Sequence, residues 1–169
     1  MSRKQPDLTI DGIRLPLAVA GAISQTYEDF GGFGLLRLGL GAAVHQEVWR
    51  KTRTTLSASG LIPPGLAAVD WTAAHTLGCV APRSIQSASN VIALPAARRT
   101  DAAPYGFAVD AIGLLRPVAV GVAGNTATLA VWAGAVSYQG RYFPLLTVRA
   151  PAGVRGEYDA AGAAAGWEL

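Results

Sequence analysis

The stretch VHQEVWRKTRTTLSASGLIPPGL, Val44 to Leu66, decides the fold. Its first half has the alternation of a β-strand. His45, Glu47, Trp49, Lys51 and Arg53 fall on one face of a pleated strand, and Val44, Gln46, Val48, Arg50 and Thr52 on the other. Thr54, Thr55 and Leu56 extend it with β-favouring residues, and Gly60 punctuates. The second half, Leu61-Ile62-Pro63-Pro64-Gly65-Leu66, reads as neither helix nor central strand. Pro63 and Pro64 lack N–H donors, fix φ and push their predecessors into extended conformations. A long polar strand therefore runs into a stiff apolar corner. Leu61, Ile62 and Leu66 are exposed there unless this chain or a neighbour covers them.

Outward from that stretch, turn signals recur at short intervals. Leu8 to Leu15 reads as a hairpin about Asp11-Gly12. Ala20 to Phe30 reads as a strand broken by Gly31-Gly32, and Phe33 to Leu40 as a bulged strand or a glycine-softened loop. Thr76 to Val80 is a buried-strand run closed by Pro82. Pro95 to Pro104 is the clearest exposed loop, and Tyr105 to Leu115 alternates as a half-buried strand does. Pro117 to Val122 and Thr126 to Trp132 flank a turn at Gly124-Asn125. Val136 to Tyr138 and Tyr142 to Arg149 flank another at Gln139-Gly140-Arg141, which would complete a meander. Trp167 and Leu169 close the tail as a last strand. The expected fold is all-β: a single-domain antiparallel β-sandwich or barrel-like fold over residues 1–169, with hairpins and little helix.

Composition narrows the function classes. The 169 residues suffice for one good hydrophobic core, and 20 glycines with 10 prolines suit short strands and turns. Charged residues are only 15%, so much of the surface is neutral and fit to be covered by something else. The net charge of +3 is modest. Basic clusters at Arg50-Lys51-Arg53 and Arg98-Arg99 have acids nearby in Glu47 and Asp101, which argues against a nucleic-acid stripe. Cys79 is the sole cysteine and reads as a small buried hydrophobe; no disulfide framework or thiolate metal site is possible. No apolar run reaches transmembrane length, and MSRKQPDLTIDG lacks the apolar core of a secretory signal. The expectation is synthesis in a cytoplasm with no membrane insertion.

Catalytic patterns are sparse. His45 and Glu47 share a strand face without a third metal ligand, and a polar strand face explains both. His75 follows Asp70 by five residues, but no G-x-S-x-G elbow supplies a nucleophile. Gly32-x-Gly34 and Gly39-x-Gly41 lack the third glycine of a dinucleotide site. No enzyme, metal or cofactor is expected. Trp49 differs from the other tryptophans because Lys51 and Arg53 accompany it, and an indole among cations belongs to interfaces more than to cores.

Several runs resemble small tail-tip proteins of long-tailed bacteriophages, the minor tail and distal-tail-like baseplate proteins of siphophages and prophages. They are Trp49-Arg50-Lys51-Thr52 through Ser57-Ala58-Ser59-Gly60, Pro63-Pro64-Gly65-Leu66, Cys79-Val80-Ala81-Pro82-Arg83, and Tyr142-Phe143-Pro144-Leu145-Leu146-Thr147-Val148-Arg149. The resemblance spans most of the chain and is carried by Gly, Pro, Trp and apolar residues. It implies a virion structural protein that multimerises as a ring, of six copies, joining the tail tube to the hub and receptor-binding parts. The interface expected from it comprises Trp49, Arg50, Lys51, Arg53, Leu61, Ile62, Pro63, Pro64 and Leu66. Arg50, Lys51 and Arg53 would meet acids across it. A small carbohydrate-binding or adhesion β-sandwich using exposed aromatics is the alternative. Where Trp49, Tyr105 and Tyr142 point separates the two.

Overall fold

The computed structural model describes residues 5–15, 23–60, 62 and 64–169. Leu61 and Pro63 of the apolar corner, and residues 20–22 of the expected strand, lie outside the described residues. Among the described residues, short alternating runs make fifteen strands, all paired antiparallel, and no sheet closes into a barrel. The strands are β1 (Leu8–Ile10), β2 (Ile13–Leu15), β3 (Ser24–Arg37), β4 (Ala43–Ser59), β5 (His75–Gly78), β6 (Arg83–Ser87), β7 (Val91–Ala93) and β8 (Tyr105–Val109). They continue with β9 (Leu115–Val118), β10 (Val120–Ala123), β11 (Thr126–Leu129), β12 (Ser137–Tyr142), β13 (Leu145–Val148), β14 (Arg155–Tyr158) and β15 (Ala164–Glu168).

Among the described residues, buried side chains gather in two clusters, each between two sheets. Leu8, Ile10 and Leu77 from the sheet β13-β5-β1-β2 meet Leu56 and Trp167 from the sheet β14-β15-β4-β3. Ile92 and Leu129 from β10-β11-β7 meet Ala108, Tyr138 and Tyr142 from β6-β12-β8-β9. The second pair of sheets is an insertion: its strands lie between β5 and β13, which are themselves neighbours in the first pair.

Arg99 ties the insertion down. Its side chain is 3% exposed. Nη1 donates to the carbonyls of Asp7 (2.6 Å), Gly78 (3.0 Å) and Cys79 (3.1 Å), while Nε and Nη2 fork onto the Asp101 carboxylate. The Arg99 N–H donates to Phe143 O, and Leu94 and Ala102 are buried as well. The loop expected at Pro95 to Pro104 forms with Ala96, Ala97, Thr100, Asp101 and Ala103 exposed, and its exposure is corrected only at Arg99 and Ala102. A planar guanidinium with five donors can reach three carbonyls and a carboxylate at once, here where the two sandwiches join.

The Asp11-Gly12 turn forms as read, with φ of 48° and 80°, the positive pair that a type I′ hairpin needs. The turn at Gly124-Asn125 also forms, as does the last strand with Trp167. The turn expected at Gln139-Gly140-Arg141 does not. Ser137–Tyr142 is one strand with neighbours on both sides, so there is no meander there. Gly140 has a packing role: a Cβ on it would stand 3.1 Å from Ile92 Cδ1.

The proline corner is corrected too. Pro64–Ala67 is a single helical turn, α1. A proline in the first turn of a helix loses no hydrogen bond, since that N–H has no helical partner. The turn drops Leu66 into the first core, 1% exposed, and Ile62 packs on the same cluster.

Candidate interaction site, the β3–β4 arm and the groove at its root

Strands β3 and β4, of 14 and 17 residues, pair from Ser24 opposite Ser57 to Arg37 opposite Ala43. A strand of this length exceeds what a small sandwich can cover, as strands in globular domains average about 5–6 residues. Only the root is held. Gln25 Oε1 accepts the N–H groups of Val80 (2.8 Å) and Ala81 (3.0 Å), and Tyr27 donates its hydroxyl to Ala81 O at 2.7 Å. Burial pushes the Tyr27 hydroxyl pKa up, so it stays a neutral donor. Beyond Asp29 and Thr52 the hairpin continues as an arm, its paired part from Phe30 to Arg37 reaching ~26 Å at roughly 3.3 Å per residue. It turns at Leu38 to Ala42, where the N–H groups of Leu38 and Gly41 close on the carbonyls of Ala42 and Leu38.

A register irregularity at Gly32/Phe33 leaves Val48 unopposed between Trp49 and Glu47. One extra residue in one strand inverts the facing of everything beyond it. The simple alternation expected across Val44 to Arg53 is therefore corrected. Trp49, Lys51 and Arg53 share one face, while Glu47 and His45 join Arg50 on the other. Glu47 accordingly bonds Arg50 at 2.6 Å, and His45 stacks on Phe33 with centroids 6.0 Å apart. On the first face Trp49 meets Phe30 edge-on at 5.3 Å, and Arg53 lies 4.1 Å over the Phe30 ring.

The expected break at Gly31-Gly32 is absent, and β3 runs through it. These glycines provide close approach instead. A Cβ on Gly31 would collide with the Trp49 carbonyl, and one on Gly32 would press on the indole.

Charge on the arm is largely settled within it. Arg50 faces Glu47 and Asp29, and Arg53 faces Glu28 at 2.9 Å. Paired this way, neither guanidinium is left waiting for a carboxylate from elsewhere, and Glu47 raises the Arg50 pKa further. Apolar surface remains. Phe30, Phe33 and Trp49 are between 43% and 44% exposed, and Leu35, Leu36, Leu38, Leu40, Val44 and Val48 between 41% and 101%.

The expected site residues thus divide. Trp49, Arg50, Lys51 and Arg53 come together on the arm. Leu66 and Ile62 are covered by this chain, Pro64 opens α1, and Leu61 and Pro63 lie outside the described residues. Sequence reasoning missed Phe30, Phe33, Leu35 and Leu36 as arm residues. The strand-forming run of Val44 to Leu56, too long for a small domain, was the signal that could have found them.

A groove of ≈ 870 Å³ opens at the root of the arm. His75 borders it, 5% exposed, with Nδ1 2.6 Å from Asp11 Oδ2 and Nε2 donating to the Asp70 carbonyl at 2.8 Å. The Asp11 carboxylate raises the His75 pKa, and His75 lowers that of Asp11. Both ring nitrogens are thus held as donors. The Asp70 carboxylate itself binds Thr72, so the Asp70–His75 pairing imagined in the sequence is replaced by Asp11. Cys79 is fully buried as expected, and burial raises its thiol pKa. Among the described residues no three His, Cys, Asp or Glu side chains come together as a metal site, and no helix is long and apolar enough to cross a membrane.

On the second sandwich, Tyr105 and Phe107 share the outer face of β8. Arg141 lies 4.9 Å over Phe107 and 6.0 Å over Tyr105, whereas Tyr142 is buried. Comparisons with protein-family models, with curated proteins and with solved structures return no match.

Proposed function

We propose that this chain is a structural subunit of a bacteriophage tail tip, multimerising as a ring that joins the tail tube to the hub and receptor-binding parts. The observation that carries the reading is the arm. Nine large apolar side chains stand on this hairpin, left between 41% and 101% exposed by the described residues. Fully burying such a side chain gives about 1.5–3 kcal/mol, so covering the exposed halves gives on the order of 10 kcal/mol. Association costs about 4–15 kcal/mol. The arm is thus a major share of what a subunit contact needs, with the sandwich bodies supplying the rest. Such a surface is a liability on a lone protein and an adhesive in an assembly. The resemblance of the Trp49 to Leu66 and Tyr142 to Arg149 runs to tail-tip proteins gives the assembly its identity. Electron microscopy of the purified protein tests it: closed rings that Trp49→Ala disperses are expected, and dispersed particles at every concentration would refute it.

A second reading rests on the Tyr105, Phe107 and Arg141 face, which has the rings and the hydrogen-bonding neighbour Gln139 that a sugar-binding sheet uses. The cation over both rings weighs against it, because a sugar would have to displace Arg141. Glycan-array binding lost in Tyr105→Ala would favour this reading.

A further inference from the structure

The groove at the root of the arm has a floor and a rim of opposite chemistry. Phe30, Trp71, Val148 and Pro151 give the groove its accessible hydrocarbon, laid over the buried core side chains Ile10, Leu56 and Leu77. Around it stand Lys51, Arg53, Arg149 and Arg155, with Glu168 the one acidic side chain. Arg53 is already held by Glu28, and His75 by Asp11. Lys51, Arg149 and Arg155 have no ion-pair partner among the described residues. Arg155 has Glu168 directly across from it in the β14–β15 register and Arg149 donates to the Thr72 carbonyl at 3.4 Å, so positive charge exceeds negative around the groove, with Lys51 and Arg149 facing no acid.

We propose that this groove docks an extended acidic peptide segment of a partner protein. A large apolar side chain of that segment rests on the floor, and its carboxylates meet Lys51, Arg149 and Arg155. Charge complementarity selects an acidic occupant. The apolar walls of Phe30, Trp71, Val148 and Pro151 favour a segment that carries a large apolar side chain, while Thr52, Thr55 and Thr147 offer hydroxyls to a peptide backbone. The volume lies within the roughly 300–1,000 Å³ of binding clefts. Phe30 and Lys51 are shared with the arm surface proposed for the ring, and the other lining residues belong to the root and body of one chain.

A random dodecapeptide display library panned on the full chain tests it. The expected binders carry Asp and Glu around a Leu, Phe or Trp. A fluorescein-labelled member should bind wild type and the arm-tip variant Leu40→Ala equally, and Arg149→Glu/Arg155→Glu at least tenfold more weakly. Both arginines are exposed, so melting should be unchanged; if the double variant melts early, Arg155→Gln carries the same comparison. Binders without acidic enrichment, or binding undiminished by the charge variants, would overturn the proposal. Capture of a heparin-derived oligosaccharide with no acidic peptide selected would overturn it in favour of a glycan.

Discussion

Gly32 lies opposite Trp49 in the arm, and a Cβ added to Gly32 would sit 3.0 Å from the indole Nε1. The indole can lie flat on the strand only because nothing projects beneath it. Its outer face is left 44% exposed beside Phe30. Glycine here sets where an aromatic surface points.

That relationship separates assembly from folding. Trp49→Ala is expected to change the stability of the monomer by less than about 1 kcal/mol, the range for a half-exposed residue outside a core. It should reduce the assembled fraction severalfold at equal concentration. Thermal melting and analytical ultracentrifugation on the same samples check both halves.

Gly31 is the stricter neighbour. Its added Cβ would meet the Trp49 backbone carbonyl, which cannot swing aside as a side chain can. Gly31→Ala is expected to loosen the arm and expose it to protease, with Gly32→Ala milder because the indole can give. Limited proteolysis with mass mapping of cuts between residues 28 and 53 reads the difference.

Leu66 and Leu40 form a contrasting pair, at 1% and 101% exposure. Leu66→Ala removes a core side chain and is expected to cost about 2–5 kcal/mol of folding stability. Leu40→Ala should stay within about 0.5 kcal/mol, as surface changes do, yet weaken assembly. Urea unfolding of both variants measures this.

The Asp11–His75 pair predicts a pH window. His75 has its pKa raised by Asp11, so its contribution is fully present below the ordinary value of 6.5 and is lost as pH rises through the raised folded value. Asp11 has its pKa lowered by His75, so its contribution is present above the ordinary 3.8 and is lost as pH falls through the lowered one. Melting temperature should therefore show a plateau between the two. Asp11→Asn, which tolerates the positive φ of the turn, should flatten it. NMR titration of the His75 ring should show an upshift that the variant abolishes.

What was legible in the sequence was local. Asp11-Gly12 and Gly124-Asn125 demanded positive φ and formed turns. The strand through Trp49 was read from its β-branched and alternating residues. What was hidden depended on distant partners. Gly31, Gly32 and Gly140 look like breaks in a sequence, but here they make room for Trp49 and Ile92 from other strands. The bulge at Val48, invisible to periodicity, inverted the faces of half the arm. Arg99 looked like part of a solvated loop because its carbonyl acceptors come from Asp7, Gly78 and Cys79. An extended corner leaves open whether this chain or a neighbour covers Leu66, whereas one helical turn turns it into this chain's core.

Native mass across a concentration series of the full chain tests the central claim most directly. The account predicts a discrete closed oligomer, six copies being the count the tail-tip resemblance implies, that Trp49→Ala and Leu40→Ala shift toward monomer. A strict monomer up to the highest concentration, with the arm variants indistinguishable from wild type, would contradict it.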